Sequence, residues 1–167
     1  MLKYLLLFLI LLGSCSSPKY EVQTDTSLTI EEFIQNPFPQ KVDIDKFRKN
    51  HRNLKYRKYI RTPQFNASLK DTVYRFFSGK TNVLFYKPQQ KNKIYLLSTT
   101  IGDKKVQLKN GIRTGLSISQ VRKKFVDFPE LMNDTIRFSH SNKMAAFIFE
   151  DNKVAKIMIY QSKSKKP

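Results

Sequence analysis

The residues able to do chemistry are few and far apart. The chain has two histidines, His51 and His140, and one cysteine, Cys15. No His-x-x-x-His or Cys-x-x-Cys spacing offers a metal two ligands from one element. There is no Gly-x-Ser-x-Gly turn to present a nucleophilic serine. Gly111 and Gly115 lack the Lys-Ser/Thr of a phosphate-binding loop, and read instead as turn residues ahead of a helix. Carboxylates pair at Glu31/Glu32, Asp43/Asp45 and Glu150/Asp151. The first two pairs stand at helix starts, where acids favour the positive end of the dipole, and the third stands in a turn. His51 falls on an apolar helical stripe, where an imidazole usually bonds to backbone, and His140 lies in a Ser/Asn-rich turn. Asp71 and Asp134, each followed by Thr and a β-branched residue, read as equivalent positions closing turns at strand starts. The expectation is a protein that is not an enzyme and that carries neither cofactor nor metal.

What remains is electrostatic. Lys and Arg number 31 against 13 Asp and Glu, a formal charge of +18. Such a field favours anionic partners. The charge is densest at Lys46, Arg48, Lys49, Arg52, Lys55, Arg57, Lys58 and Arg61, with Tyr56 and Tyr59 interleaved and no acid in the run. It can be a patch facing an anion or a partner, its tyrosines stacking on sugar rings or supplying amphipathic contact. It can equally be a solvated helix face followed by an edge strand whose charges discourage pairing with other chains. Helix and strand periods compete there: Phe47, His51 and Leu54 continue a helix, while Leu54, Tyr56 and Ile60 hint at alternation.

The elements that must position these residues follow a pattern. Ser117 and Gln120 have the spacing of a capping box, and Leu116 and Val121 that of a hydrophobic staple. Ile118, Val121, Phe125 and Phe128 then form one apolar stripe, which Pro129 ends. Upstream, Val42 takes the staple position, Asp43 the cap, and Ile44, Phe47, His51 and Leu54 the stripe. Three strand-like runs follow each helix: 71–76, 82–87 and 93–99 after the first, 134–138, 144–150 and 154–160 after the second. Hairpin turns are expected at Ser78-Gly79-Lys80, at Gly102-Asp103 leading to Val106–Leu108, and at Asp151-Asn152-Lys153. Strands 82–87 and 154–160 are apolar on both faces, which predicts a central or doubly covered position. Thr29 opens a further short helix that Pro37 and Pro39 close. The predicted fold class is α+β: a single domain of two αβββ repeats, an antiparallel sheet with helices packed on one face. The domain spans 29–160, with halves of about 29–104 and 105–160 and a basic tail at 161–167.

The N-terminus supplies an address. A short positive start and the apolar run Leu5–Leu12 precede Cys15. The run is too short to span a bilayer, which takes about 20 apolar residues. Leu12-Gly13-Ser14-Cys15 resembles the lipobox of bacterial lipoproteins, which implies a signal peptide at 1–14 and lipidation of Cys15. Residues 15–28 read as a flexible tether with a reach of about 20 Å. The expected location is the cell envelope, at the outer membrane of a Gram-negative bacterium, anchored by lipid. A basic protein there meets anionic lipid headgroups, acidic glycan or an acidic protein face, and no nucleic acid.

Together, the lipobox, the tether and Gly115-Leu116-Ser117-x-x-Gln120-Val121 opening a helix before three strands resemble the small outer-membrane lipoproteins of the SmpA/BamE type. The tandem αβββ pattern is similar to the β-lactamase inhibitor protein fold. Where that lipoprotein family closes its helix with Leu-Gly-x-Pro, this chain has Phe125-Val126-Asp127-Phe128-Pro129. The resemblance implies a non-catalytic module that presents its sheet or loops to an envelope protein partner. The alternative is a basic lipoprotein that binds an anionic envelope glycan or lipid headgroup.

Overall fold

Turn chemistry folds the chain into two antiparallel meanders. The structure, a computed structural model, describes residues 27–39, 41–130 and 133–161. The first meander runs through β1 (Lys55–Arg61), β2 (Asp71–Phe77), β3 (Asn82–Lys87) and β4 (Tyr95–Ile101). The second runs through β5 (Thr135–His140), β6 (Lys143–Glu150) and β7 (Lys153–Gln161). Ser78 N–H donates to the Thr81 carbonyl at 2.8 Å to close the β2–β3 turn. Asp151 and Asn152 close the β6–β7 hairpin with φ of 48° and 58°, the left-handed pair whose twist matches the flanking strands. β4 and β7 then pair, giving one open antiparallel sheet in the order β1-β2-β3-β4-β7-β6-β5. This agrees with the α+β expectation, and β7 is central as its two-sided apolar pattern predicted.

Three short helices lie on one face: α1 (Ile30–Gln35), α2 (Ile44–Asn50) and α3 (Ile118–Arg122). Their entries are those the sequence encodes. Ser117 Oγ accepts from Gln120 N–H at 3.2 Å while Gln120 Oε1 accepts from Ser117 N–H at 2.9 Å. Thr29 with Glu32 forms a second capping box, and Asp43 accepts from Lys46 N–H at 2.9 Å. Between sheet and helices lies an aromatic core. Phe33 of α1 meets Phe147 of β6 at 5.6 Å, and Phe47 of α2 meets Phe76 and Phe85 at 4.7 and 5.1 Å. These edge-on and tilted ring contacts hold the helices to the sheet.

The structure departs from the sequence reading, or settles what that reading left open, in four places, each with a local reason. The helix expected to reach Phe128 ends at Arg122. Leu28 N–H donates to the Lys124 carbonyl at 2.9 Å and Val126 N–H to the Leu28 carbonyl at 3.1 Å, so the N-terminal segment pairs with an extended Phe125 in place of another helical turn. The upstream helix stops at Asn50. His51 caps it, and Leu54 reaches the core from a turn. Four strands, not three, follow that helix, because the residues around the basic run form β1. Finally, Gly102-Asp103 makes no hairpin with Val106–Leu108. Thr81 Oγ1 accepts from both Gly102 and Asp103 N–H at 3.1 Å, and a Cβ on Gly102 would sit 2.7 Å from the Lys80 carbonyl oxygen. The edge of β4 is already taken by β7, so Val106 and Leu108 turn into the core instead.

Phe147 is fully buried against Phe33, Phe138 and Phe125. Phe147→Ala should lower unfolding free energy by about 3–5 kcal/mol in urea titrations. Phe65→Ala, at a side chain 84 % exposed, should change it by less than about 0.5 kcal/mol.

Candidate functional site

Strand alternation divides the basic run between two sides of the sheet. Lys46, Arg48 and Lys49 are exposed on α2, and Arg52 stands in the turn after it. On β1, Tyr56 pairs with Phe76 across the strands and lies on the helix side, its ring 5.1 Å from Phe76 and 5.0 Å from the Arg48 guanidinium. Lys58 shares that side. Lys55, Arg57, Tyr59 and Arg61 project from the opposite face, opposite Phe77, Arg75, Val73 and Asp71. The ten residues are therefore not one patch. β1 is a sheet edge in which every residue but Tyr56 is exposed, the arrangement that discourages strand addition by another chain.

The opposite face has a character that the sequence reading missed. Registers carry one row across the sheet as Arg57, Arg75, Leu84, Ser98, Tyr160, Met144 and Ser139. The next row reads Lys55, Phe77, Asn82, Thr100, Met158, Ala146 and Arg137. Leu84 stands on one side of Ser98 and Thr100 of the middle strand, Tyr160, Met158, Met144 and Ala146 stand on the other, and the margins are basic. Three contacts fix this surface: the Phe77 ring lies 5.3 Å from the Arg57 guanidinium and 4.8 Å from that of Arg75, and Tyr160 Oη donates to Met144 Sδ at 2.9 Å. Arg75 Nε also donates to Asn82 Oδ1 at 2.7 Å. All three helices pack on the other side, and no described helix or strand covers this face, although the β3–β4 loop reaches over Asp71. The signal was the two-sided apolarity of β3 and β7, which implied a second covering layer that the described chain does not supply.

Asp71 shows how a carboxylate is accommodated on this face. It is 3 % exposed; one oxygen accepts from Tyr86 Oη and the other from Gln89 N–H at 2.9 Å. The hydrogen bond to Asp71, then burial, then the Asp71 charge raise the Tyr86 phenol above its ordinary 10.0. Asp71 and Asp134 are not equivalent. Val73 points to the open face whereas Ile136 points to the core, so aligning the two Asp-Thr triplets is one residue out of register. Asp134 is exposed and precedes β5.

Both histidines bond to neighbours within the fold. His51 Nδ1 bonds the Phe47 carbonyl at 3.0 Å and its ring stacks on Phe47 at 4.2 Å. His140 Nε2 lies 3.1 Å from Glu31 Oε1, the one ion pair among the described residues. No three His, Cys, Asp or Glu side chains among the described residues are grouped to hold a metal. Cys15 and its lipobox lie outside the described residues. No described helix is long and apolar enough to cross a membrane. No protein-family model, curated protein or solved structure matches the chain.

Tyr86→Phe should cost about 1.5–3 kcal/mol in chemical denaturation, because a hydrogen bond to a buried charge is lost. The sign of the pH effect follows from the raised phenol. Its contribution is fully present below the ordinary value of 10.0 and is lost as pH rises through the higher folded value. In an absorbance titration Tyr56, raised chiefly by burial, and Tyr86 should ionise last, and Tyr86→Phe should remove one of these late transitions.

Proposed function

We propose that this chain is a non-catalytic interaction module of the cell envelope. It is anchored by lipid at Cys15 on the outer membrane and presents the open sheet face to a protein partner. The observation that carries this reading is that face: Leu84 to one side of Ser98 and Thr100, and Met158, Tyr160 and Met144 to the other, between margins of Arg57, Arg75 and Arg137. Half-buried apolar side chains interspersed with small polar ones and rimmed by charge have the composition of a protein interface. The basic margins favour a partner whose own rim is acidic.

The face belongs to a duplicated αβββ unit. Sheet order supports this, because β2-β3-β4 and β7-β6-β5 mirror each other about the β4–β7 seam. So do the capped helices at Asp43 and Ser117. β1 is then an addition to the first copy. The likeness to SmpA/BamE-type lipoproteins is part of the same proposal and rests on the motif at 115–121.

The alternative, a basic lipoprotein holding an anionic glycan or headgroup along residues 46–61, has one supporting observation: the run carries no acid.

The test is crosslinking in intact Gram-negative cells with the lipidated chain. Leu84→Lys with Met158→Lys should reduce capture of the partner by about tenfold or more, equivalent to about 1.4 kcal/mol. Neutralising Lys46, Arg48, Lys49 and Arg52 to Gln should leave capture intact. Loss of capture only in the neutralised variant would transfer the function to the basic run, and equal capture by all three proteins would remove the sheet face from consideration. Cys15→Ser should move the protein from the membrane fraction to the soluble one; retention in the membrane would overturn the anchor.

A further inference from the structure

A cleft of about 910 Å³ opens at the end of the sheet where β4 and β6 begin. Pro37 to Pro39 wall one side. Four lysines line it, Lys41, Lys93, Lys109 and Lys143, and among the described lining residues there is no carboxylate. These lysines come from four separate segments of the chain, so no local sequence run announces the group.

The fold positions three of them. Lys93 Nζ lies 5.4 Å from the centre of the Tyr95 ring. Lys143 is half-buried, and its Nζ donates to the Gln35 carbonyl at 3.4 Å. Lys109 N–H donates to the Pro37 carbonyl at 2.7 Å, tying the proline wall to the segment that carries Lys109. The acid within reach of the margin is committed elsewhere: Glu31 Oε1 accepts from Gln35 Nε2 at 3.0 Å and pairs with His140. None of the four lysines has a carboxylate within 4.0 Å among the described residues. Burial, and after it the charge of Lys93, hold the Lys143 ammonium below its ordinary value. Like charges gathered in a concave site without a counter-charge are relieved by a bound anion.

We propose that this cleft binds a small polyanion bearing two or more phosphate groups, held by Lys41, Lys93, Lys109 and Lys143. Several compact ammonium groups around a cleft, each a movable point charge, suit the spread charge of linked phosphates better than one monoanion. The same chemistry is offered by a free pyrophosphorylated molecule and by a phosphorylated lipid headgroup. The cleft lies apart from the centre of the open sheet face, and the proposal stands or falls independently of the protein-partner reading.

The experiment is amine-reactive footprinting of the full chain, read by mass spectrometry. It is done with inorganic pyrophosphate in one arm and with vesicles containing phosphatidic acid in the other. The expected result is about tenfold slower labelling of Lys93, Lys109 and Lys143 when the ligand is present, a factor equal to about 1.4 kcal/mol of binding. Lys55 and Lys58 on the edge strand should be unchanged. Protection by pyrophosphate identifies a soluble ligand, and protection by vesicles alone identifies a headgroup; either supports the site. Protection in neither arm, or uniform protection of all lysines, overturns it. Lys93→Gln with Lys143→Gln should abolish pyrophosphate binding by calorimetry while leaving the thermal transition in place. Unaltered binding by that variant also overturns the proposal. If the variant does not fold, the wild-type footprint decides alone.

Discussion

Ser98 to Ile101 of β4 pair with Ile157 to Tyr160 of β7, and this short ladder makes one sheet out of two meanders. Each meander is local, built from hairpins whose turns the sequence sets. The seam is not local: it joins segments far apart in the chain and must close the intervening loop before its hydrogen bonds and side chains contribute. Its register places Thr99, Ile101, Ile157 and Ile159 on the helix side, where the last three join the core cluster. A slip of one residue would turn this whole set to the open face. The helices depend on the seam in turn, because Phe33 packs on the second meander and Phe47 on the first.

Nine phenylalanines stand among the aliphatic side chains of the core. Phe33, Phe47, Phe76, Phe85, Phe125 and Phe147 interlock through edge-on and tilted contacts. Large rings let three helices of one to two turns stay ordered, since helices this short have little stability of their own and owe their order to tertiary contact and caps. The positive charge is left outside this core and is scarcely neutralised within the molecule. Among the described residues the one ion pair is made by a histidine, so the lysines and arginines stand without carboxylate partners within 4.0 Å. A chain with +18 formal charge stores self-repulsion that any anionic surface relieves.

The basic surface is not uniform. On the open face the arginines flank apolar side chains, and Arg57 and Arg75 lie against Phe77. In the cleft at the sheet end the charges are lysines around a concavity, with Tyr95 beneath one of them. Planar guanidinium groups stack on rings and bind anions in a fixed fork, and compact ammonium groups bind them as movable point charges. Two surfaces of one small domain therefore carry the same excess of positive charge in different side-chain geometries.

Local physics was legible in the sequence. The capping box at Ser117 and Gln120, the Asp43 cap, the short helix after Thr29, the β6–β7 turn and six of the seven strands follow from propensity, periodicity and turn chemistry over a few residues. The position of the basic run was plain as well, but its division across two faces was not, because that depends on where α2 stops and β1 starts. What only the tertiary structure decided involves partners remote in the chain. Leu28 replaces the last turns of the third helix by pairing at Phe125, and β7 takes the edge of β4 that the Gly102-Asp103 turn would otherwise have used. One-residue register sets Val73 and Ile136 on opposite faces despite their matching neighbours. Four lysines from separate segments meet at one cleft. In each case burial and hydrogen bonding between distant segments selected an arrangement that short-range preferences did not fix.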